Sequence, residues 1–358
     1  MAAKLRVGLS RWSPACRQRY IKTCETTLRW HSFNNRCCVF VVSLSALLYD
    51  SAISFRIIQM TPNEWKALGV YHQINGKQIF TIDTGAKDAH EDKPVLVILH
   101  GHPTSSHDYY YALPELAKRY RVIVHDHLGF GLSDKPKNYS YALQEQADYA
   151  LLLWQRLGLT SAHVFAHDYG TSIATEILAR WNMGLFPLGL RSMTLCNGSV
   201  HIELARLRIM QKLLRSKLTG PLVARLSTQR VFNRNMRKIW YDAKTIKTSD
   251  LDAMWTLLTH NDGKMVLPTI AQYLRDRVRF WNRWVGALQQ TSLSLGFLWG
   301  TEDPITNGNV AKVHHKEAPG SRLVLLEKLG HYPMIESPER WTQGLLELLD
   351  EFEAVAKK

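Results

Sequence analysis

The sequence predicts an α/β chain: a mostly parallel sheet flanked by helices, with an inserted helical cap. Three observations carry this. Short, continuous apolar runs recur along the chain, as expected of strands buried on both faces. Helical stretches separate most of them, and such alternation marks a parallel sheet. One connection, from about Asn197 to Ser294, is far longer than a compact sheet requires and has helical periodicity.

In chain order, the folded body begins near Trp65. Asn75-Gly76 lies between two short runs, Val70–Ile74 and Lys77–Phe80, and predicts an antiparallel hairpin. Val95–Leu99 is the first buried parallel strand. Similar runs follow at Val122–Val124, His163–Phe165, Met193–Leu195, Leu295–Leu298 and Leu323–Leu326. Helical stretches are expected from Ala142 to Leu157 and from Thr171 to Trp181. In the long connection Leu204, Leu207, Met210, Leu213, Leu214 and Leu218 recur at helical spacing with Arg and Lys between them. The stripe is expected to pack a cap against the main domain, with membrane binding as the less favoured alternative. The chain therefore divides into a leader over 1–60, a core over 65–198 and 292–355, and a cap over 199–291.

With 358 residues and 46% hydrophobic content, the chain can bury one large catalytic core carrying an insertion. Its net charge of +14 is concentrated in two places. The first 40 residues set Lys4, Arg6, Arg11, Arg17, Arg19, Lys22, Arg29 and Arg36 against Glu25 alone, and a second basic stretch runs from Arg206 to Lys238. No zinc-finger spacing, RNA-binding aromatic motif or basic heptad accompanies this charge, so no nucleic-acid partner is expected. Attraction to anionic membrane surfaces is the physical alternative. The acid-poor, Arg-rich leader has the composition of a mitochondrial transit peptide. The apolar run Cys37–Leu48 behind it is shorter than the ~20 residues of a spanning helix. A signal-peptide core, a short anchor and a membrane-surface segment all fit it. Four of the five cysteines sit in this leader, and Cys196 is alone in the body, which is expected to be disulfide-free. No nucleotide-binding glycine motif or metal-ligand cluster stands out, so neither cofactor nor metal is implied.

The chemistry centres on Ala166-His167-Asp168-Tyr169-Gly170, with a strand before it and a helix after. Small residues flanking a nucleophile permit the sharp strand-to-helix turn of a nucleophile elbow. The nucleophile position holds Asp168. A carboxylate attacks a saturated or epoxide carbon and forms an alkyl-enzyme ester, which water activated by a histidine then cleaves. A surface aspartate capping a helix would look the same in isolation. Three further stretches supply context. His100-Gly101-His102-Pro103 follows the Val95 strand, the place for an oxyanion loop, with the second donor on Tyr169. Gly300-Thr301-Glu302-Asp303-Pro304 offers an acid, Asp303 with Glu302 as rival. Gly330-His331-Tyr332-Pro333 offers the base, His331. Nucleophile, acid and histidine come in that order, each after a strand. Asp126–Pro136 reads as a structural loop.

His100–Ser106, the Gly129–Pro136 loop and His167-Asp168-Tyr169-Gly170 resemble the epoxide hydrolase and haloalkane dehalogenase branch of the α/β-hydrolase fold. The resemblance covers roughly Lys93 to Leu349 and excludes the leader. It implies a hydrolase acting on an apolar small molecule or lipid, epoxide-hydrolase-like, and a place at the endoplasmic reticulum membrane, where the leader composition alone points to mitochondria. A haloalkane dehalogenase is the alternative, and a non-catalytic membrane-associated binding protein of the same fold is a third. In that branch dehalogenases hold halide with a Trp after the nucleophile and an Asn or second Trp nearby; the matching positions here are Tyr169 and His102, whose OH and NH can also donate. Epoxide hydrolases protonate the epoxide oxygen from cap tyrosines, and Tyr273 and Tyr241 are the candidates here. The resemblance also places Asp303 beside Pro304 in the usual setting of the acid.

Overall fold

The computed structural model describes residues 59–85 and 93–356, which belong to one compact unit spanning Ile57–Lys358. The leader expected over 1–60 lies outside them, with its apolar run and four cysteines, except for its last two residues. The folded body opens earlier than expected, with helix α1 (Pro62–Leu68). Its signal is Thr61-Pro62-Asn63-Glu64, a capping box with proline at the first turn. The helix buries Trp65, whose Nε1 donates to Ser106 Oγ at 3.1 Å.

Eight strands form one sheet: β1 (Val70–Ile74), β2 (Lys77–Asp83), β3 (Val95–Leu99), β4 (Arg121–His125), β5 (Ser161–His167), β6 (Gly189–Cys196), β7 (Leu295–Gly300) and β8 (Arg322–Leu326). Their order is β1-β2-β4-β3-β5-β6-β7-β8. The β1–β2 and β2–β4 pairs are antiparallel and the other pairs parallel. The hairpin turns on Asn75 and Gly76, both at positive φ (46° and 73°), as a two-residue hairpin that matches strand twist requires. The chain steps from β3 to β4 on one side and then returns to lay β5 on the other. The strand order thus reverses at β3, and the crevice beyond the carboxyl ends of β3 and β5 is where open α/β sheets place ligands.

Alternation along the central strands feeds two cores. Val97, Leu99, Val164 and Ala166 face one cluster; Leu96, Ile98 and Phe165 face the other. Helices α3 (Leu143–Arg156), α4 (Tyr169–Asn182) and α12 (Gly308–Glu317) pack into the first. Helices α2 (Leu113–Arg119) and α14 (Pro338–Ala356) pack into the second. A short α13 (Pro333–Glu336) precedes α14.

Between β6 and β7 lie only helices and turns: α5 (Ile209–Arg215), α6 (Gly220–Leu226), α7 (Gln229–Arg237), α8 (Thr248–Thr259), α9 (Leu267–Ile270), α10 (Tyr273–Arg279) and α11 (Trp281–Gln290). Two partly or fully buried carboxylates tie this insertion to the sheet domain. Asp250 on α8 accepts from the hydroxyls of Tyr110 (2.7 Å) and Tyr111 (3.2 Å). Glu176 on α4 accepts from Arg283 Nε and Trp284 Nε1 on α11, both at 2.9 Å. No described helix is long and apolar enough to cross a membrane.

Candidate active site

β5 runs straight into the first turn of α4, and Asp168 is the hinge, with φ 43° and ψ −104°. A side chain in that region carries strain of about 1–3 kcal/mol, which the surroundings must over-determine. The approach is close enough to demand glycine. A Cβ on Gly170 would lie 2.5 Å from the Leu99 carbonyl oxygen at the end of β3. One on Gly101 would lie 2.6 Å from His167 Nδ1. The loop after β3 can therefore pass beside the turn, and the His102 backbone N–H donates to Asp168 Oδ2 at 3.1 Å. The Tyr169 amide opens α4, where first-turn N–H groups have no carbonyl within their helix.

His331 stands on the loop after β8. Its backbone N–H donates to the Ile239 carbonyl (2.9 Å), and Glu336 accepts from the N–H groups of Gly330 and Tyr241, each at 3.0 Å. A strap from the insertion, Ile239–Tyr241, thus clamps the histidine loop. His331 Nδ1 pairs with Asp303 Oδ2 at 2.7 Å. The Asp303 carboxylate also accepts from Asn197 Nδ2 (2.9 Å), Thr306 Oγ1 (2.7 Å) and the Ile305 N–H (2.7 Å). An acceptor with this many donors is held ionised, so Nδ1 of His331 carries the proton. Glu302, the rival acid, is exposed and accepts only from its neighbour Thr301 at 3.2 Å.

A residue the sequence reading overlooked completes the cluster. Arg277 on α10 is buried; its Nε donates to Ser172 Oγ (2.8 Å) and its Nη2 to the Asp168 carbonyl (3.0 Å). The same Nη2 lies 3.7 Å from Asp168 Oδ1, and the guanidinium sits 4.8 Å over the Tyr273 ring. Arg277 is four residues after Tyr273, so one helix face presents both, but the spacing alone does not mark that face as buried. Asn197 is the second missed residue. At φ 42° beyond β6, it bridges Gly300 and Asp303.

Two buried carboxylates therefore face a buried guanidinium and a buried imidazole. Burial pushes the Asp168 carboxyl up, but His331 and Arg277 outweigh it and hold it below the ordinary value. The Asp303 carboxyl is likewise lowered against its burial, chiefly by His331. Burial pulls His331 down, yet Asp303 and then Asp168 raise it above the usual imidazole value. His102 goes the other way. Burial, only partly opposed by Asp168, lowers it to about 4, so it is neutral at pH 7. Its Nε2 is buried and makes no hydrogen bond among the described residues.

His102 and His331, with polar residues of the insertion such as Gln211 and Asn235, line a cavity of about 870 Å³, counting its open mouth. The walls come from the insertion and are largely apolar, with Met210, Leu214, Phe232, Met236 and Trp255 prominent. Such a chamber suits a mostly apolar ligand with few polar contacts.

The structure brings together Asp168, Asp303, His331, His102 and Tyr273. The Tyr273 ring is buried 5.7 Å from the His102 ring and 5.2 Å from that of Tyr169. Its hydroxyl makes no hydrogen bond of normal geometry to a described residue. The Tyr169 hydroxyl points to the Tyr141 carbonyl at 3.5 Å, so the side chain serves packing while its amide faces the elbow turn. Tyr241 is not part of the site. Its residue is 49% exposed, because its backbone N–H is committed to Glu336 and the strap turns its side chain toward solvent.

Residues 94–338 match the family model described as the alpha/beta hydrolase fold. The hydrolase-named LipZ of Mycobacterium tuberculosis is 40% identical over 258 residues, 72% of this chain and 89% of that protein. The mesoderm-specific transcript protein of Mus musculus is 34% identical over 304 residues, 82% of this chain and 90% of that one. Homologues matching shorter stretches include a haloalkane dehalogenase and an epoxide hydrolase. Among solved structures, haloalkane dehalogenase DbeA of Bradyrhizobium elkani superposes with a TM-score of 0.68 at 21% identity, over 80% of this chain and 99% of that chain, a likeness of fold.

Proposed function

The chain belongs to the α/β-hydrolase fold family, and on that premise we propose that it is a carboxylate-nucleophile hydrolase of epoxide-hydrolase type acting on an apolar substrate. One observation carries the reading: the His102 N–H already rests on an oxygen of Asp168 itself. In a serine hydrolase the oxyanion develops on the substrate. In an alkyl-aspartyl ester it develops on the enzyme's own carboxyl, which is where this donor points.

The steps follow from the geometry. Ionised Asp168 attacks an epoxide carbon; the carbon–oxygen bond breaks and the ring oxygen takes a proton from Tyr273, with His102 Nε2 beside it as a second polar group. His331, oriented by Asp303, then removes a proton from water as that water attacks the Asp168 carboxyl carbon. The oxyanion formed is met by the amides of His102 and Tyr169. Collapse expels the alkoxide, which takes the proton from His331 to complete the diol, and the water's remaining proton passes from the Asp168 carboxyl to the Tyr273 phenolate, restoring both groups. Arg277 supplies the counter-charge that keeps Asp168 a nucleophile within a buried site. The haloalkane alternative has fewer donors for a halide, since the Tyr169 hydroxyl is already engaged by Tyr141.

Asp168→Asn is expected to abolish epoxide turnover in a chain that still folds and unfolds cooperatively, with its midpoint lowered because Arg277 loses its buried partner. Retained turnover in freshly purified variant, beyond slow self-deamidation, would sink the reading.

A further inference from the structure

The insertion exposes an apolar surface that the hydrolase chemistry does not use. On α5, on α6 and in the turn between them, Ile209 is 77% exposed, Leu218 90%, Leu222 59% and Leu226 66%. Ile209 and Leu213 are one helical turn apart, as are Leu222 and Leu226, so each helix presents a stripe and not scattered residues. The two helices pack against one another. Their inner sides are satisfied: Leu214 and Ala224 are buried. An exposed apolar patch of this kind, rimmed by polar groups, marks an interaction surface.

The segment that carries the patch is of one sign. From Arg206 to Lys238 there are ten lysines and arginines and not one aspartate or glutamate. Arg206, Lys212, Lys217, Arg225, Arg230 and Arg234 are exposed. None of the ten forms an ion pair with another described residue. Uncompensated positive charge around exposed leucines complements a surface that is apolar beneath and anionic above. It opposes self-association, because two copies would bring like charges together. Nucleic acid would take the charges and leave the leucines in water.

The patch also adjoins the cavity mouth. Arg208, next to Ile209, lines the cavity; so do Ser227, next to Leu226, and Val231, itself 40% exposed. Lys264, another lining residue, donates to the carbonyls of Arg225 (3.2 Å) and Ser227 (3.4 Å) and fixes that rim to the end of α6.

We propose that the α5–α6 face of the insertion docks on an anionic lipid bilayer, with Leu218, Leu222 and Leu226 entering the acyl boundary and the surrounding lysines and arginines meeting the head groups. The cavity mouth then opens at the membrane surface, where apolar molecules partition. Delivery of substrate from the bilayer rests on the hydrolase reading above; docking itself does not. Interfacial binding of this form draws on buried apolar area and on attraction to anionic lipid together.

Vesicle flotation of the full chain tests this without measuring chemistry. Vesicles of phosphatidylcholine with phosphatidylserine are compared with phosphatidylcholine alone. The wild-type chain is expected to float with the anionic vesicles and several-fold less with neutral ones. Leu218→Asp/Leu222→Asp/Leu226→Asp is expected to lower the bound fraction at least about tenfold. Lys217→Gln/Arg225→Gln/Arg230→Gln, which leaves every apolar residue in place, is expected to do the same on anionic vesicles alone. Failure of the wild type to float overturns the proposal. So does flotation unchanged in both variants, which would assign binding to another part of the chain. A wild-type dimer that both variants reduce to monomer, with no vesicle binding, would assign the face to a second copy and also overturn it.

Discussion

Replacing Arg277 by methionine removes the guanidinium and keeps most of the stem's volume. The Arg277 and Asp168 side chains are 3% and 6% exposed, so their interaction is little screened by solvent. Removing one partner of a buried pair typically costs about 3–5 kcal/mol, because the other charge is left uncompensated. Here the loss includes two charged hydrogen bonds, to Ser172 Oγ and to the elbow carbonyl. At about 2 °C per kcal/mol for a chain of this size, the midpoint should fall by roughly 6–10 °C at pH 7. The pH dependence separates electrostatics from packing. Asp168 is held below its ordinary value in the folded chain, so its ionised form contributes stability above the unfolded carboxylate pKa of about 3.9, and this is lost as pH falls through the folded value. Without Arg277, burial acts on Asp168 with one fewer opposing cation. The gap between wild type and variant should then be widest near neutrality and narrow on acidification. Urea unfolding from about pH 8 down to about pH 3 reads this. Arg277→Lys, which keeps the charge, should close much of the gap. A gap that is constant across the range, or smaller than about 1 kcal/mol, would refute the pairing.

Tyr273→Phe should slow epoxide opening by about 10²-fold while sparing hydrolysis of an ester already formed; single-turnover mass spectrometry separates the two, and an unchanged opening rate would remove Tyr273 as the acid. The two half-reactions should also part with pH. Alkylation needs ionised Asp168, whose carboxyl is depressed, and so should persist into mild acid. Ester hydrolysis needs neutral His331, whose value is raised, and so should fail as pH drops through it. Covalent intermediate should therefore accumulate as the solution is acidified and diminish as it is made alkaline; a constant level would contradict the assignment of His331.

Much of the architecture was legible because burial on both faces leaves a continuous signature. Val95–Leu99 reads as a central strand since Leu96 and Ile98 enter one core while Val97 and Leu99 enter the other. The elbow was legible for a similar reason: the turn at Asp168 needs Gly170 for close approach to β3, and that need is written locally. Asp303 was separable from Glu302 only by its Pro304 context, and the structure gives the physical reason, three donors besides His331 against an exposed carboxylate. What stayed hidden depends on long-range placement. Arg277 lies 109 residues beyond Asp168, among other arginines of α10, and nothing local distinguishes the one that folds inward. Tyr241 failed for the complementary reason. Tyr273 had the matching cap context and Tyr241 did not; Tyr241 lies on the strap whose backbone bonds Glu336 beside the His331 loop, and it is 49% exposed.

His331→Gln exposed to an epoxide panel and to a haloalkane panel, with the intact mass read and the modified peptide mapped, tests the nucleophile most directly. The variant keeps Asp168, its His102 N–H contact and Arg277, but lacks the base for the second step. A stable adduct on Asp168 with the mass of an added epoxide is expected. A folded variant that gives no adduct with any compound, or one that maps elsewhere, would contradict Asp168 as the attacking group.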